Sequence, residues 1–586
     1  MEVGATRWSA CGARGLAAWP SARRRGGVRV PGNSAARGAR DAGRGGWARG
    51  VPAGGGWWRV GGPPPWRLGV GASPAWMPAG SGGRAAAAAA RTFNAMPLPD
   101  VEGLRKEDPP AGSQAIRVVF LVDGLATSPW ESRGSGVHAP WGAVLEQVGR
   151  RLQWADARCS CTIVDLPELL ADPAGVAARA VEGADVVLGV ALLDPRAFDA
   201  CVAIDRAGAF ATVKVRLFFE CDSQLEAFNK LGSVRSVDGP PGLLALRGKK
   251  EKRRAAELFE QSGALWRRHF VDDVVYMLLQ AIDAYVAPVS QIGAVNRDPG
   301  LKELKCMLEH CANPVAACFR DDTCRKALAC LQDCGLNDQV CSYNCIVQHE
   351  SPLFTDFALC NLQLNNCLGN FAEMPHRPDP APAASFRGEP LDHAMGERIF
   401  EGHLGDLVDS RLPWSWRVVA GQNPAYDHFA CQFQLYYRDA KARGVFWYDP
   451  VFRVDLDGGR GSVWRRRHYR VRRRRNSPGT FDLSVLDNGV TSNEWWRIVA
   501  VDEGPGMEWA LFFYSGAAQA AGLSYSGAIL VSHDGRWPSD SAMPAVEDAL
   551  RAAGMYLWEL YPVKNDGCAP PDDLMQVPSG TPRPPP

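Results

Sequence analysis

Cysteines are concentrated in one short stretch of this chain. Ten of the seventeen cysteines in the 586-residue sequence fall within 62 positions. An even number of cysteines at this density indicates a disulfide framework, and hence an oxidising compartment. The ten residues are Cys306, Cys311, Cys318, Cys324, Cys330, Cys334, Cys341, Cys345, Cys360 and Cys367.

The spacing in the middle of this stretch predicts two specific pairs. Cys330 and Cys334 are four residues apart, as are Cys341 and Cys345, so on helices each pair lies on one face. The turn at residues 335–338, Gly-Leu-Asn-Asp, lets two such helices fold back antiparallel. This arrangement predicts the bonds Cys334–Cys341 and Cys330–Cys345.

Extending the same nesting to the other cysteines gives three further pairs. A turn at Asn313-Pro314 would join the cysteines before it to those after it, and the last two would remain for each other. The predicted bonds are Cys311–Cys318, Cys306–Cys324 and Cys360–Cys367. A zinc cluster is the alternative, but it favours Cys-x-x-Cys pairs, which this stretch lacks. We therefore expect no metal.

This cysteine pattern closely resembles that of the violaxanthin de-epoxidase family, most of all the related branch that carries an extra N-terminal domain. Residues 423–432, Asn-Pro-Ala-Tyr-Asp-His-Phe-Ala-Cys-Gln, resemble the start of the family's lipocalin barrel. The resemblance covers about residues 300–572. It implies a sixth bond, Cys431–Cys568, which ties the chain's end to the barrel.

The first 99 residues differ in composition from the rest. They contain fourteen arginines, no lysine and two acids, a formal charge of +12, whereas the whole chain carries +1. Because no hydrophobic periodicity appears, we interpret residues 1–99 as an organellar transit segment removed on import; a permanently disordered tail is the alternative. Since the basic charge belongs to this segment, we expect no nucleic-acid partner.

Residues 113–290 alternate apolar runs with helix-like stretches. This pattern predicts an α/β domain, of unknown role, with a parallel sheet covered on both faces. Asp123-Gly124 follows the first run, where such sheets bind ligands. There is no G-x-G-x-x-G or Walker A sequence, so a loop that turns the chain is the favoured interpretation. The apolar runs are Val118–Val122, Cys161–Val164, Asp185–Val190 and Val213–Phe219.

Short candidate strands fill the C-terminal part. A small disulfide-rich helical domain is predicted at residues 300–368, and a linker follows at 369–392. Residues 393–572 are predicted to form an eight-stranded antiparallel lipocalin-type β-barrel with a following helix. A Pro-rich tail (573–586) ends the chain. Such barrels hold one small apolar ligand. The candidate strands are Trp416–Ala420, Phe429–Tyr437, Gly444–Val454, Gly461–Val471, Thr480–Leu486, Glu494–Val501, Trp509–Tyr514 and Tyr525–Ser532.

The resemblance implies an oxidoreductase of the xanthophyll cycle in the chloroplast, in the thylakoid lumen or on the thylakoid membrane. Such an enzyme reductively removes the epoxide oxygen of a carotenoid, violaxanthin, with ascorbate as reductant. A general acid must protonate the oxygen as the C–O bond breaks. The alternative is a carotenoid- or lipid-binding lipocalin without turnover, because the family's catalytic aspartate corresponds to Asn493 here.

Family motifs carry over to five positions. The family's aspartate lies two residues before a tryptophan on the sixth strand, positions that the resemblance matches to Asn493 and Trp495. If Trp495 lines the cavity, Glu494 points outward. The apolar pattern alone leaves the inward face open, since Trp496, Ile498 and Ala500 alternate as well. Tyr514 matches a seventh-strand tyrosine, and the tyrosine that ends the eighth strand is replaced by Val531. The candidate catalytic residues are Asn493 and Tyr514; the candidate substrate-binding residues are Gln432, Trp495 and Asp427.

The strongest charge run is Arg465–Arg475, with eight arginines. One interpretation is an exposed hairpin that makes peripheral contact with anionic thylakoid lipid. Nucleic-acid binding is disfavoured because Tyr469 is the only aromatic residue within the run. A solvated hairpin tip is the remaining alternative.

Overall fold

A computed structural model describes most of the chain after residue 113. The predicted transit segment, residues 1–99, lies outside the described residues. The described ranges are 114–132, 136–232, 244–293, 300–335, 337–402, 414–423, 425–427, 429–438, 445–456 and 459–577. Within these ranges no helix has both the length and the apolar character needed to cross a membrane.

The N-terminal region contains the predicted parallel sheet. Its strand order is β4-β1-β5-β6-β7, in which the first four strands are parallel and β7 is antiparallel. A separate hairpin precedes the first helix. The strands are β1 (Ile116–Val122), β2 (Thr127–Ser132), β3 (Val137–Pro140), β4 (Cys159–Asp165), β5 (Val186–Val190), β6 (Val215–Phe219) and β7 (Lys230–Leu231).

Alternating residues of β1 enter two separate cores. Val118 and Phe120 pack in the core that the helices Trp141–Ala155 and Val271–Tyr285 cover, and Val119 packs in the core under the helix Pro195–Arg206. A strand that is buried on both faces has apolar residues at every position, which is why the apolar run in the sequence predicted this strand. The other helices of this region are Leu166–Ala171, Ala178–Val181, Leu244–Trp266 and Ser290–Gly293.

The cysteine-rich region is helical. Its elements are the α-helices Leu301–His310, Ala312–Arg320, Asp322–Asp333, Gln339–Gln348 and Pro352–Ala358, followed by the π-helical turn Leu359–Leu364. Three of the expected bonds are present: Cys330–Cys345, Cys334–Cys341 and Cys431–Cys568, with Cα atoms 5.6, 5.6 and 5.5 Å apart. The antiparallel helix pair around residues 335–338 therefore has the predicted geometry.

The other three predicted pairs are wrong. Asn313-Pro314 makes no turn; it lies in the first turn of the helix Ala312–Arg320, where a proline is tolerated because that N–H has no intrahelical partner. Cysteines at opposite ends of that helix cannot meet. The observed bonds are Cys306–Cys367, Cys311–Cys360 and Cys318–Cys324, with Cα separations of 5.4, 5.8 and 5.2 Å. Two of them tie the first helix of the region to its last turn.

The C-terminal sheet closes into an eight-stranded antiparallel barrel. Its order is β11-β10-β18-β17-β16-β15-β14-β12, and β12 pairs back with β11. The strands are β10 (Trp416–Gly421), β11 (Ala430–Arg438), β12 (Val445–Asp455), β14 (Tyr469–Arg473), β15 (Thr480–Asp487), β16 (Val490–Val501), β17 (Trp509–Ala518) and β18 (Leu523–Ser532). The helix Met543–Ala552 follows, as predicted.

The predicted strand Gly461–Val471 is broken into two. The first half, β13 (Ser462–Arg466), and the second half, β14, both pair with β12, and Arg467 and His468 interrupt them. Three short strands lie outside the barrel proper. They are β8 (Ser385–Phe386) and β9 (Glu389–Pro390), which pair with each other, and β19 (Tyr561–Pro562), which pairs with β10.

The helix His393–Glu401 places the side chain of Phe400 inside the barrel core. Phe400 is fully buried, and its ring lies within 6.1 Å of five other ring centroids. Trp416, at the start of β10, donates from Nε1 to the carbonyl of Ile399 at 3.2 Å. This end of the barrel is therefore filled by protein. The five rings belong to Tyr436, Phe446, Phe481, Trp496 and Phe512.

The corrected pairing makes a quantitative prediction about stability. Cys306–Cys367 closes a loop of 61 residues, whereas Cys334–Cys341 spans 7. The chain-entropy model gives about 4 kcal/mol for the longer loop and about 2 kcal/mol for the shorter one. We expect the double serine variant at 306 and 367 to lose about twice as much unfolding free energy in urea as the variant at 334 and 341.

Peptide mapping of the unreduced protein gives the direct check. Proteolysis should release peptides that join Cys306 to Cys367 and Cys311 to Cys360. A peptide that joins Cys306 to Cys324 would contradict the fold described here.

Candidate functional site

Strand β16 turns a different face inward from the one the sequence analysis expects. Asn493 is exposed at the surface, whereas Glu494 is buried. Trp496 and Ile498, on the same face as Glu494, pack in the barrel interior, and Trp495 packs outside against the helix Met543–Ala552. The prediction that Asn493 and Trp495 line the cavity is therefore wrong.

The error has a physical cause. Because a helix covers the outside of β16, both faces of this strand are apolar, and the alternation of tryptophan and aliphatic residues does not identify the inward one. The guanidinium of Arg497 lies 4.4 Å from the Trp495 ring on the outer face. The signal that could have decided the register is the acid-x-Trp pattern itself. It is present as Glu494-Trp495-Trp496, one residue later than the alignment on Asn493.

Glu494 is held by two hydrogen bonds inside the barrel. Its Oε2 accepts from Trp496 Nε1 at 2.6 Å, and its Oε1 accepts from the hydroxyl of Tyr525 at 2.7 Å. Burial raises the pKa of this carboxyl, and the two donors counteract only part of the shift. Glu494 is therefore a carboxylic acid that retains its proton to a higher pH than an exposed glutamate.

The strand opposite leaves room for this carboxyl. Gly516 of β17 pairs with Glu494 across the sheet, and a Cβ atom there would lie 2.7 Å from Glu494 Cγ and from the Tyr525 ring. Gly527 of β18 has the same role for Tyr514, whose hydroxyl would lie 2.8 Å from an added Cβ. A side chain at either glycine would therefore collide with these groups, so the absence of a Cβ atom makes room for them.

Asp427 is a second buried acid. The Tyr514 hydroxyl donates to its Oδ2 at 2.6 Å, and the backbone N–H of Asn423 donates to the same oxygen at 2.8 Å. The net pKa of Asp427 is raised to about 7. Burial is the largest cause; the hydrogen bond from Tyr514 acts in the opposite direction, and the negative charge of Glu494 adds to the rise. The barrel therefore contains two carboxyls that disfavour each other's ionisation.

Gln432 is buried, and its amide holds the loop that carries Asp427. Its Nε2 donates to the backbone carbonyls of Tyr426 and Asp427, at 3.1 and 2.6 Å. One residue pair further along β11, Gln434 accepts from the hydroxyl of Tyr448, and Gln434 Nε2 is buried with no acceptor among the described residues.

Of the five predicted site residues, the structure thus brings three together. Tyr514, Asp427 and Gln432 lie in one hydrogen-bonded group, while Asn493 and Trp495 lie outside the barrel. Two further hydrogen-bonded sets lie in the barrel and were not assigned to the site from the sequence. They are Glu494 with Trp496 and Tyr525, and Gln434 with Tyr448. Val531 does face the interior, as the tyrosine it replaces would, but Tyr525 supplies a phenol from the same strand.

The cysteine-rich region packs over the loop that carries Asp427. Tyr343, on the helix Gln339–Gln348, packs against Tyr426 with the rings tilted and their centroids 4.3 Å apart, and both lie in an apolar cluster with Phe429. The disulfide framework therefore supports the site directly. The sulfurs of Cys334, Cys341 and Cys345 lie within 4.8 Å of one another because two disulfides are adjacent, and disulfide sulfurs are not thiolate ligands.

The arginine run is largely engaged within the protein. Arg467 is 9% exposed and pairs with Glu350 and Asp487, Arg466 pairs with Asp449, and Arg465 contacts Glu350 at 2.9 Å. Arg473 and Arg474 also have acidic partners, Glu397 and Asp482. The prediction that the whole run forms an exposed docking hairpin is wrong, since its first three arginines tie the barrel to the cysteine-rich region and to its own strands.

The Asp123-Gly124 turn has a structural role. The backbone N–H of Gly124 donates to Asp165 Oδ1 at 2.7 Å, and the same carboxylate accepts from Leu166 at the start of the next helix. This bond joins the ends of two neighbouring parallel strands. It agrees with the interpretation of this turn as a loop that redirects the chain.

Residues 303–565 match the family model of the VDE lipocalin domain. Chloroplastic violaxanthin de-epoxidase of Arabidopsis thaliana is 20% identical over 288 residues, 47% of this chain and 56% of that protein. The Spinacia oleracea protein of the same name is 22% identical over 259 residues, 43% of this chain and 49% of that protein. The chain spans about half the length of these curated relatives.

Two solved structures are also similar to part of the chain. Apocrustacyanin C1 is 15% identical, covers 27% of this chain and 80% of its own, and gives a TM-score of 0.20. The cockroach allergen Per a 4 is 17% identical, covers 32% of this chain and 97% of its own, and gives a TM-score of 0.21.

The raised pKa of Asp427 predicts a measurable pH dependence of stability. An aspartate ionises near 3.9 when unfolded, so the stability that this group contributes is complete below about pH 4 and is lost as pH rises through 7. Asp427→Asn keeps the size and the acceptor for Tyr514 but does not ionise. The unfolding free energy of the wild type should therefore fall more between pH 4 and 7 than that of the variant, by roughly 2–4 kcal/mol at about 1.4 kcal/mol per pKa unit.

Urea unfolding at both pH values measures this difference. Burial also raises the pKa of Asp273 and of Glu401 to about 7, but both groups remain in the two proteins, so the comparison isolates Asp427. Parallel pH profiles for wild type and variant would show that folding does not raise the pKa of Asp427.

Proposed function

We propose that this chain, whose residues 303–565 match the VDE lipocalin domain, is an oxidoreductase of the violaxanthin de-epoxidase type that removes epoxide oxygen from a carotenoid. Violaxanthin is the proposed substrate and ascorbate the proposed reductant. The observation that carries the proposal is Glu494, a buried acid with a raised pKa in an aromatic barrel interior. It occupies the position in an acid-x-Trp pattern where the family resemblance calls for a catalytic carboxyl.

The proposed reaction needs two electrons and two protons. Ascorbate is oxidised to dehydroascorbate and supplies both; the two C–O bonds of the epoxide break, a carbon–carbon double bond forms, and the oxygen leaves as water. An alkoxide is a poor leaving group, so proton donation to the epoxide oxygen lowers the barrier to C–O cleavage. Both buried acids have raised pKa values and a phenol donor, and Glu494 is the one that stands in the acid-x-Trp pattern.

Each neighbour of Glu494 has a definite part in this proposal. Trp496 and Tyr525 fix the carboxyl by donating to its two oxygens, which leaves the proton of the acid form as the donor toward substrate. Asp427 and Tyr514 form a parallel acid–phenol pair. Aromatic rings line the rest of the interior and suit an apolar polyene.

We also propose that the chain acts in the chloroplast, in the thylakoid lumen or on the thylakoid membrane. The two curated relatives are named as chloroplastic proteins. Six disulfides require an oxidising compartment, and a carotenoid substrate is held in membrane lipid. Arg470, Arg472, Arg473 and Arg475 are the exposed arginines of the run. Arg473 pairs with Glu397, so Arg470, Arg472 and Arg475 are the ones most available for contact with anionic lipid.

The test compares neighbouring residues on one strand. The full chain is incubated with violaxanthin, ascorbate and galactolipid at acidic pH, and pigments are separated by chromatography. Glu494→Gln should lower the rate about 10²–10⁴-fold because the general acid is lost, while violaxanthin binding is kept. Asn493→Asp is the matched control: it adds an acid on the outer face and should change the rate less than twofold.

Two outcomes would contradict the proposal. An undiminished rate in Glu494→Gln would exclude Glu494 as the acid, and a large gain in Asn493→Asp would show that the outward residue is the catalytic one. A wild-type chain that binds violaxanthin without turnover would establish the alternative function, a carotenoid- or lipid-binding lipocalin. In an active wild type the rate should fall as pH rises through the pKa of Glu494.

A further inference from the structure

A cavity of about 860 Å³ lies where the α/β region meets the barrel. On the barrel side its wall includes Gln422, Ser524 and Tyr525, and on the α/β side it includes Trp154 and Tyr276. Residues 369–377, between the cysteine-rich region and the barrel, form a third wall. This volume is within the range of sites for medium-sized organic ligands.

Arg151 of the α/β region fixes the two sides of the cavity together. Its guanidinium donates to Asp272 Oδ1 at 2.7 Å and to Glu559 Oε2 at 2.5 Å, and it is 8% exposed. With its amide oriented to satisfy both partners, Gln422 of the barrel also accepts from this guanidinium. The α/β region is therefore held against the barrel by a buried charge cluster.

The cavity leads to the acids of the barrel by short routes. Tyr525 lines it and donates to Glu494. Asn423 also lines it, and its backbone N–H donates to Asp427. A molecule in the cavity thus lies one residue away from each of the two buried carboxyls.

The charges of the lining select against anions. Five acidic residues line the cavity, and the basic residues that line it are Arg151 and Arg377, together with His376. Arg151 is already engaged by two of the acids. The acids are Asp272, Asp273, Asp338, Glu373 and Glu559. Asp272 and Glu559 pair with Arg151, and Asp273 and Asp338 pair with Arg268 behind the wall. The acids still outnumber Arg151, Arg268 and Arg377, and this formal excess of negative charge disfavours an anionic ligand such as a carboxylate relative to a neutral one.

The rest of the lining favours an apolar ligand that carries an oxygen. Aromatic and aliphatic side chains dominate the α/β wall, among them Trp130, Trp154, Phe270 and Tyr276. The barrel wall adds the hydroxyl side chains of Ser524 and Ser526, which can hydrogen-bond to a hydroxyl or ether oxygen on the ligand.

We propose that the α/β region forms the outer wall of the ligand site, and that this cavity holds one end of a neutral, elongated, apolar molecule with a terminal oxygen. The barrel alone is then an incomplete site. The inference deepens the proposed function and rests on it for the identity of the substrate, but it does not require turnover. It assigns a binding role to a region that lies outside the matched lipocalin domain.

The test measures binding with a probe of the stated chemistry. All-trans-retinol is a neutral polyene alcohol, and all-trans-retinoate is its anionic counterpart; both are titrated into the full chain, followed by absorbance and retinoid fluorescence. We expect retinol to bind at least tenfold more tightly than retinoate. Trp154→Ala and Tyr276→Ala should each weaken retinol binding about tenfold, while Tyr276→Phe, which keeps the ring, should not.

Controls separate loss of the wall from loss of the fold. Leu193 is 65% exposed on the same region and away from the cavity lining, so Leu193→Ala should change binding less than twofold. Ser526→Trp fills the cavity from the barrel side and should abolish binding without altering the α/β region. Circular dichroism and unfolding midpoints confirm that each variant is folded.

Each result bears on one claim alone. Retinol binding that is absent in the wild type, or unchanged in Trp154→Ala, Tyr276→Ala and Ser526→Trp, overturns the assignment of the cavity. Equal affinity for retinol and retinoate overturns the charge argument. Retinol binding that depends on the cavity, without any de-epoxidation of violaxanthin, would support the role of the cavity and contradict the proposed oxidoreductase function.

Discussion

The burial of acidic side chains inside an apolar barrel is the constraint on which the site depends. A carboxyl taken out of water is costly unless hydrogen bonds satisfy it, and it avoids the larger cost of a buried charge by keeping its proton. Glu494 and Asp427 meet both conditions, each with a phenol donor and each with a raised pKa. The same burial that makes the ionised carboxylates costly keeps these groups protonated to a higher pH.

That environment is assembled from all three parts of the described chain. Phe400 fills one end of the barrel, and the helix that carries Tyr343 covers the loop of Asp427. Buried ion pairs hold these parts in place: Arg467 joins the cysteine-rich region to the barrel, and Arg151 joins the α/β region to it. A charge buried without its partner is strongly destabilising, so such pairs fix the register between regions even where they add little net stability.

The sequence was informative wherever one physical rule acted alone. Continuous apolar runs indicated the parallel sheet because both of its faces are buried, and i, i+4 spacing indicated Cys330–Cys345 because two helices lie side by side. It failed where both faces of a strand were equally apolar, and where the true partner of a cysteine was distant in sequence. Trp495 and Trp496 both have hydrophobic surroundings, so parity on β16 was ambiguous, and Cys311 finds Cys360 49 positions away, a distance that local nesting does not consider. No sequence pattern around Phe400 predicted that its side chain fills one end of the barrel.

The direction of Glu494 is the central claim, and thiol labelling tests it most directly. Cysteine is introduced separately at positions 493 and 494, and labelling of the folded chain by a polar maleimide is timed, with the wild type as background. Asn493→Cys should label at nearly the rate of the unfolded chain, and Glu494→Cys should label at least a hundredfold more slowly. The reverse order would place Asn493 in the barrel and remove the acid on which this account depends.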